Sequence, residues 1–217
     1  MRSGIELNDF EREVIIGDAK TELNGILALP EKAKGMIIFA HGSGSGRLSP
    51  RNNYVARVLQ NDQFATLLMD LLSEEESLDR SNVFDIKLLA KRLSLAKKWL
   101  ATLPETRLTP IGYFGASTGA AAALIAAAKA SKNVFAVVSR GGRPDLAGPF
   151  LHKVKAPTLL IVGGNDEPVI ELNKEAYQKL ESPKEIKIVP GATHLFEEPG
   201  KLEQVALLAS DWFSRHI

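Results

Sequence analysis

The chain has 217 residues, of which 45% are hydrophobic and 24% are charged. This composition can bury a large core in one domain, residues 1–217, and excludes a disordered chain. The formal net charge of +1 argues against nucleic-acid or membrane-surface binding driven by charge. The chain has no cysteine, which excludes disulfides and thiolate metal sites and is typical of a reducing compartment.

Targeting signals are not evident in the sequence. The first ten residues contain no apolar run of the kind that a secretory signal needs. The longest apolar run, residues 120–128, is far shorter than the ~20 residues of a membrane helix. We therefore expect a cytoplasmic protein without a membrane segment.

Hydrophobic patterning predicts strands that alternate with helices along the whole chain. Predicted strands are residues 13–16, 23–29, 36–40, 64–72, 111–114, 134–138, 157–162 and 186–189. Predicted helices are residues 50–60, 85–104, 120–128 and 170–180, and a closing helix from residue 202. The alternation predicts a parallel sheet covered on both faces, with the first two strands forming an antiparallel hairpin around a turn at Gly17 and Asp18. The acidic run at residues 74–76 is interpreted as a solvated loop.

A G-x-S-x-G motif at residues 115–119 lies between a predicted strand and an alanine-rich helix. In this context the motif indicates a nucleophile elbow, in which Ser117 occupies a strained turn with its hydroxyl exposed at the carboxyl edge of the sheet. Gly115 and Gly119 lack the β-carbons that would collide as the strand and helix fold over the serine. We expect Ser117 to be a nucleophile.

A serine nucleophile needs a base, and the base needs an acid to orient it. His194 follows the last predicted strand, and Asp166 follows the strand before it. The chain order Ser117, Asp166, His194 is the order that accompanies this elbow. Asp145 and Glu167 are rival acids. We predict Ser117, Asp166 and His194 to be the catalytic residues.

Two backbone N–H groups are candidates for stabilising an oxyanion. One belongs to Thr118, at the start of the helix after the elbow. The other belongs to Ser43, with Gly42 and Gly44 as alternatives, in the loop H-G-S-G-S-G at residues 41–46.

The same glycine-rich loop has a second interpretation. A strand, a glycine-rich turn, a helix and then Asp70 after the next strand imitate a dinucleotide-binding fingerprint. Three residues separate the last glycine of this loop from the predicted helix, which the fingerprint does not allow. The four dispersed histidines predict no metal centre, and no cofactor is expected.

Three arginines near predicted strand ends are candidates for binding an anionic group of a substrate: Arg47, Arg140 and Arg143. For Arg140 and Arg143 the competing interpretation is a loop salt bridge with Asp145. For Arg47 it is exposure to solvent.

Together, residues 41–43 (HGS), 115–119 (GASTG), 164–166 (GND) and 191–194 (GATH) resemble the α/β-hydrolase fold, and the chain is similar to its small dienelactone-hydrolase-like branch. The resemblance covers nearly the whole chain. It implies an α/β-hydrolase fold: a mostly parallel twisted sheet, an antiparallel N-terminal hairpin, helices on both faces and no cap domain. It implies a serine hydrolase that needs no cofactor. Dienelactone hydrolases carry a cysteine nucleophile, which this chain lacks, so a general esterase is expected.

The sequence therefore predicts hydrolysis of a small-molecule ester or related acyl bond, with an open site and little lid. Acyl transfer by the same residues is an alternative. A non-catalytic binding module of the same fold is another. The sequence does not predict a nucleic-acid or membrane partner, and it leaves the oligomeric state open.

Overall fold

Eight strands form the sheet of the computed structural model, which describes residues 10–18, 21–130 and 133–217. Their order across the sheet is β1-β2-β4-β3-β5-β6-β7-β8. The strands are β1 (Glu11–Asp18), β2 (Thr21–Ala28), β3 (Gly35–Ala40), β4 (Phe64–Met69), β5 (Ile111–Ala116), β6 (Ala136–Arg140), β7 (Thr158–Gly163) and β8 (Lys184–Val189). The strands from β3 to β8 pair in parallel, whereas β2 pairs antiparallel with both β1 and β4. The predicted α/β class with an antiparallel N-terminal hairpin is confirmed.

Helices cover both faces of this sheet. They are α1 (Pro50–Asn61), α2 (Glu74–Ser77), α3 (Arg80–Phe84), α4 (Ile86–Leu100), α5 (Thr118–Ala130), α6 (Glu167–Lys179) and α7 (Lys201–His216). Residues of α1 and α7 form one buried cluster with the sheet, and residues of α4, α5 and α6 form another on the opposite face. The central strands β3, β4, β5 and β7 are buried along their whole length, as their continuous apolar runs require.

Some strands and helices end at residues other than those predicted from the sequence. Gly17 and Asp18 are not the hairpin turn, because they pair with Glu22 and Thr21 inside the ladder. Residues 19 and 20 lie outside the described residues. Strand β4 ends at Met69 instead of residue 72, and α4 ends at Leu100, before Pro104.

The interpretation of residues 74–76 as a loop is wrong, because they form helix α2. The hydroxyl of Ser73 accepts a hydrogen bond from the Glu76 N–H (3.1 Å), and the Glu76 carboxylate accepts one from the Ser73 N–H (3.0 Å). This is a capping box, which satisfies two N–H groups at the helix start. The Glu76 side chain also forms an ion pair with Arg92 on α4. The pairing explains why an acidic run folds into a helix here.

The connection between β6 and β7 is short. It contains a 3-10 helical segment, Pro144–Lys153, interrupted at Gly148, where φ is +50°. No helix in the described residues has both the length and the apolar character needed to cross a membrane.

Candidate active site

Ser117 lies between β5 and α5 with φ of +50°, a conformation that is costly for any residue with a β-carbon. The two flanking glycines make the turn possible. A β-carbon on Gly119 would fall 2.2 Å from the Ala40 carbonyl oxygen, and one on Gly115 would fall 2.4 Å from Ala120 Cα. Both distances are too short for any side chain, so the spacing of the motif follows from the tight packing of β3, β5 and α5.

The structure brings His194 and Asp166 together. His194 Nδ1 lies 2.6 Å from Asp166 Oδ2, across the loops that follow β7 and β8. An Nδ1–H donor to this carboxylate leaves Nε2 as the free acceptor of the imidazole, which is the arrangement that a general base requires. The rival acid Asp145 contacts Arg143 instead, whose guanidinium donates hydrogen bonds to both of its carboxylate oxygens (2.9 and 2.8 Å).

Ser117 and His194 lie on either side of the end of β6. The Ser117 N–H donates to the Arg140 carbonyl (3.2 Å), and a β-carbon on the next residue, Gly141, would fall 3.6 Å from His194 Nδ1. No hydrogen bond joins the Ser117 hydroxyl to His194 among the described residues. Such bonds are often long without a substrate and shorten when it binds.

The predicted oxyanion groups also lie together. The Ser43 N–H donates to Thr118 Oγ1 (3.1 Å), and a β-carbon on Gly42 would fall 2.9 Å from Ser117 Cβ. The loop after β3 therefore lies directly against the elbow. The Thr118 hydroxyl accepts the Ser43 donor in this structure, so a substrate oxygen has to replace that hydroxyl as the acceptor.

His41 holds this loop in place. Its Nδ1 lies 2.9 Å from the Gly42 carbonyl oxygen, and its Nε2 accepts the Leu71 N–H at 3.0 Å. The two contacts require the neutral ring with the proton on Nδ1. Burial lowers the pKa of His41, and the hydrogen bond to the Gly42 carbonyl and the charge of Asp70 only partly oppose that shift. Because the Gly42 carbonyl and the Ser43 N–H belong to one planar peptide group, the ring also fixes the direction of the Ser43 donor.

Two of the three candidate arginines are engaged by carboxylates of the same chain. Arg47 pairs with Asp70 through its guanidinium (2.5 Å) and its backbone N–H (2.7 Å). Asp70, the acid of the dinucleotide interpretation, is thus occupied as well. Arg143 pairs with Asp145, which is the loop salt bridge that competed with substrate binding.

Arg140 differs from both. Its residue is only 7% exposed, it has no ion pair or side-chain hydrogen bond among the described residues, and its Nε atom is buried without a partner. Burial and the nearby positive charge of Arg51 lower the pKa of Arg140 to about 10.

A cavity of about 360 Å³ lies on the α4 side of the loop after β3, residues 41–46. Its walls come from this loop, the strand ends and the segment of α2 and α3. They include His41, Ser43, Asp70, Leu72, Glu74, Ser77, Val83 and Leu89. The sequence interpretation missed this wall, although the S-x-x-E spacing at residues 73–76 is a signal for a capped helix. Ser117, Asp166 and His194 do not line this cavity, so an open site with little lid stays a prediction.

Within the described ranges, no three histidine, aspartate or glutamate side chains are placed to share a metal ion.

A family model and a solved structure indicate the same family. The family model described as "Dienelactone hydrolase family" matches residues 23–216. A crystal structure of dienelactone hydrolase from Anabaena variabilis is 54% identical, covers 95% of this chain and 98% of that one, and superimposes with a TM-score of 0.92. Est1E from Butyrivibrio proteoclasticus is 16% identical at a TM-score of 0.80, covering 94% and 98% of the two chains, and supports the fold alone.

Two curated relatives from Mycobacterium tuberculosis are 59% identical over 211 residues, 97% of this chain. Both carry provisional names as phosphoribosyl transferases. The chain spans about half of their length, 47%. The family match covers most of this chain, and its fold is that of the α/β hydrolases. The chain belongs to the dienelactone hydrolase family.

Proposed function

We propose that this protein is a serine hydrolase that cleaves a carboxylic ester, or a related acyl bond, of a small molecule through an acyl-enzyme on Ser117. The observation that carries the proposal is the 2.6 Å contact between His194 Nδ1 and Asp166 Oδ2, in loops adjacent to a serine held at φ of +50°. A positive φ at a residue with a β-carbon costs free energy, and such strain is common at active sites.

In the proposed reaction, Ser117 Oγ attacks the acyl carbon while His194 Nε2 takes the hydroxyl proton. Asp166 stabilises the imidazolium that forms. The carbonyl oxygen becomes an oxyanion and accepts hydrogen bonds from the N–H groups of Thr118 and Ser43. His194 then gives its proton to the leaving alcohol. Water repeats the sequence on the acyl-enzyme and releases the acid.

We propose hydrolysis despite the transferase name of the mycobacterial relatives. It is given to proteins about twice as long as this chain, and the dienelactone hydrolase match lies in the half that the chain spans. We propose that the activity of the Ser117 site is the hydrolase activity of the family. Acyl transfer remains the alternative in which an alcohol or thiol replaces water.

A panel of p-nitrophenyl esters of graded acyl length tests the proposal, with Ser117→Ala measured in parallel. We expect turnover by the native chain, no turnover by the variant, and labelling of Ser117 by a fluorophosphonate probe. Added alcohols would divert the acyl group to new esters if transfer predominates. An active native protein that stays unlabelled, or a Ser117→Ala variant of equal activity, would refute the assignment.

A further inference from the structure

Asn173 is a polar residue on the buried face of helix α6. The buried residues of this helix, Val169, Asn173 and Ala176, recur at helical spacing, and such a face is usually apolar. Asn173 is fully buried, and its Oδ1 atom has no hydrogen-bond partner among the described residues. Because an unpaired buried oxygen costs free energy, the contribution of this side chain has to come from its amide nitrogen.

The Nδ2 atom of Asn173 joins α6 to residues 140–143 at the end of β6. It donates hydrogen bonds to the Gly142 carbonyl (3.0 Å) and to the Val169 carbonyl of its own helix (2.8 Å). Both neighbours are acceptors, so the amide has to present its nitrogen to them. The bond to Gly142 is therefore the one that connects two separate elements.

Residues 140–143 bind the backbone of Ser117 at two points. The Arg140 carbonyl accepts the Ser117 N–H (3.2 Å), and the Arg143 N–H donates to the Ser117 carbonyl (3.0 Å). Gly142 lies between these two points along the chain. Because peptide groups are planar and the segment is short, a displacement of the Gly142 carbonyl also moves the groups that hold Ser117.

The other two proposed catalytic residues adjoin the same two elements. Asp166 is the N-cap of α6, and its carbonyl accepts the Ile170 N–H (2.9 Å). His194 lies against residues 140–143, since a β-carbon on Gly141 would fall 2.9 Å from the His194 carbonyl oxygen. A shift of α6 relative to this segment would therefore change the alignment of all three residues.

We propose that Asn173 is a positioning residue of the Ser117 site, which acts through the Gly142 peptide group without touching the substrate. Its amide holds α6, which begins directly after Asp166, against the segment that binds the Ser117 backbone. A displacement of about 1 Å between reacting groups can lower a rate about 100-fold, so one hydrogen bond between these elements affects kcat. This assignment rests on the proposed hydrolase function.

Asn173→Leu tests the role, because leucine suits a buried helical position and cannot donate a hydrogen bond. We expect kcat on the best p-nitrophenyl ester to fall about 10- to 100-fold, with KM changed less than about twofold. The rate at which a fluorophosphonate labels Ser117 should fall with kcat, because labelling depends on the same alignment of nucleophile and base.

The matched control is Gln60→Leu, which removes a second buried amide. Gln60 Nε2 donates to Thr66 Oγ1 (2.8 Å) and to Glu11 Oε1 (3.2 Å), and its Oε1, like the Asn173 oxygen, has no partner among the described residues. These bonds join α1 to the first residues of β4 and β1, away from the carboxyl ends of the parallel strands. We expect Gln60→Leu to lower the free energy of unfolding, as Asn173→Leu does, and to keep the native kcat.

Amide exchange measured by NMR follows the segment without any turnover. The Ser117 and Arg143 N–H groups are both hydrogen-bonded, so both should be protected in the native chain. Exchange of Leu160, a buried residue of β7, serves as the reference for global unfolding. Relative to this reference, we expect both groups to exchange about tenfold faster in Asn173→Leu and at the native ratio in Gln60→Leu.

Asn173→Ser is the second variant, and it replaces Asn173→Leu if the leucine variant does not fold. A serine hydroxyl in a helix can bond the carbonyl four residues earlier, here that of Val169, but it is too short to reach Gly142. The serine variant therefore keeps the bond within α6 and loses the bond between the elements. We expect the same fall in kcat and the same faster exchange as in Asn173→Leu.

The outcomes separate the two proposals. A native kcat in Asn173→Leu and Asn173→Ser overturns the positioning role, and so does an equal fall in kcat in Gln60→Leu. Unchanged exchange ratios at Ser117 and Arg143 also overturn it. A native chain that hydrolyses no ester and is not labelled at Ser117 would overturn the hydrolase function instead, and the exchange ratios would still decide whether Asn173 holds residues 140–143.

Discussion

The contact between His194 Nδ1 and Asp166 Oδ2 determines which ring nitrogen is free to face Ser117. A carboxylate at this position keeps the proton on Nδ1, and an amide can instead donate its own N–H and reverse the tautomer. The acid is therefore expected to act through the histidine, without contact to the substrate.

Asp166→Asn tests this role. By analogy with the serine protease triad, in which the same change lowers kcat by about 10⁴, we expect a loss of ~10³–10⁴ in kcat on the best p-nitrophenyl ester. The matched control is Asp145→Asn, which removes the rival acid that binds Arg143, and it should retain the native kcat. A similar loss in both variants, or a loss in Asp145→Asn alone, would show that the acid has been assigned wrongly.

His41 links the stability of the fold in acid to the loop after β3. Its pKa is lowered from the ordinary value of 6.5 by burial, so the folded protein binds this proton less readily than the unfolded chain does. The unfolded chain therefore takes up more protons as the pH falls below about 6.5, and the stability of the fold falls with it.

Replacement of His41 by Gln should remove this pH dependence. Between the unfolded pKa near 6.5 and the lower folded value, one proton contributes a slope of up to ~1.4 kcal/mol per pH unit in the free energy of unfolding. Urea unfolding from pH 7 to pH 5 measures the slope for the native chain and for His41→Gln. His152→Gln, which removes an exposed imidazole, is the comparison. Equal slopes for the native chain and His41→Gln would contradict the prediction.

Among the elements, α2 has little support from packing. It has four residues, none of them buried, and it forms part of the cavity wall. The capping box between Ser73 and Glu76 and the ion pair to Arg92 hold it in place. Because a cap contributes most where packing contributes least, the shape of the cavity depends on these few bonds.

Ser73→Ala should therefore open α2 locally. Loss of an N-cap costs ~0.5–2 kcal/mol, which corresponds to roughly 2- to 30-fold faster amide exchange at residues 74–77. Hydrogen exchange followed by mass spectrometry measures the effect, with β5 as the internal reference. The control is Ser94→Ala, whose hydroxyl donates to the Ala90 carbonyl within α4. Unchanged exchange at residues 74–77 in Ser73→Ala would mean that the ion pair alone holds the helix.

Local sequence patterns predicted the strands and the turn at Ser117 because residues close together in the sequence determine both features. The apolar run of β3 and the glycine spacing around Ser117 each follow from contacts that sequence periodicity expresses. The predictions that failed concern residues whose conformation or contacts depend on a partner far away in the sequence. Glu76 becomes helical with help from Arg92, sixteen positions away, and the Arg47 guanidinium is held by Asp70, 23 positions away. No pattern within either segment contains that information.

Local sequence patterns were equally unable to predict the contacts of the loop after β3. Its glycines indicated a turn near the elbow, but the hydrogen bond from the Ser43 N–H to Thr118 Oγ1 and the two contacts of His41 depend on how β3, β4 and β5 align in the sheet. The strand order places residues far apart in sequence at one edge. Ligands in open α/β sheets bind at that edge, and the strands below it supply stability.

In the molecule as a whole, the residues that stabilise the core therefore lie below the carboxyl ends of the strands, whereas the residues of the proposed chemistry lie at those ends. The face that α1 and α7 cover is held by an aromatic cluster. Phe213 lies 5.9 Å from Phe64 and 5.8 Å from Phe135 between ring centroids, and it is fully buried. Contacts of this kind stabilise a core without touching the residues after the strands.

Phe213→Ala should lower the free energy of unfolding by ~3–5 kcal/mol, since it removes a large buried ring and leaves a cavity. Leu207→Ala on the same helix, where the side chain is 64% exposed, should change it by less than about 0.5 kcal/mol. Urea titration of both variants gives the two values. Because the cluster does not include Ser117 or His194, the folded fraction of Phe213→Ala should keep the native kcat on p-nitrophenyl esters. A loss of kcat in fully folded Phe213→Ala, at a urea concentration of zero, would show that this face of the core also positions the site.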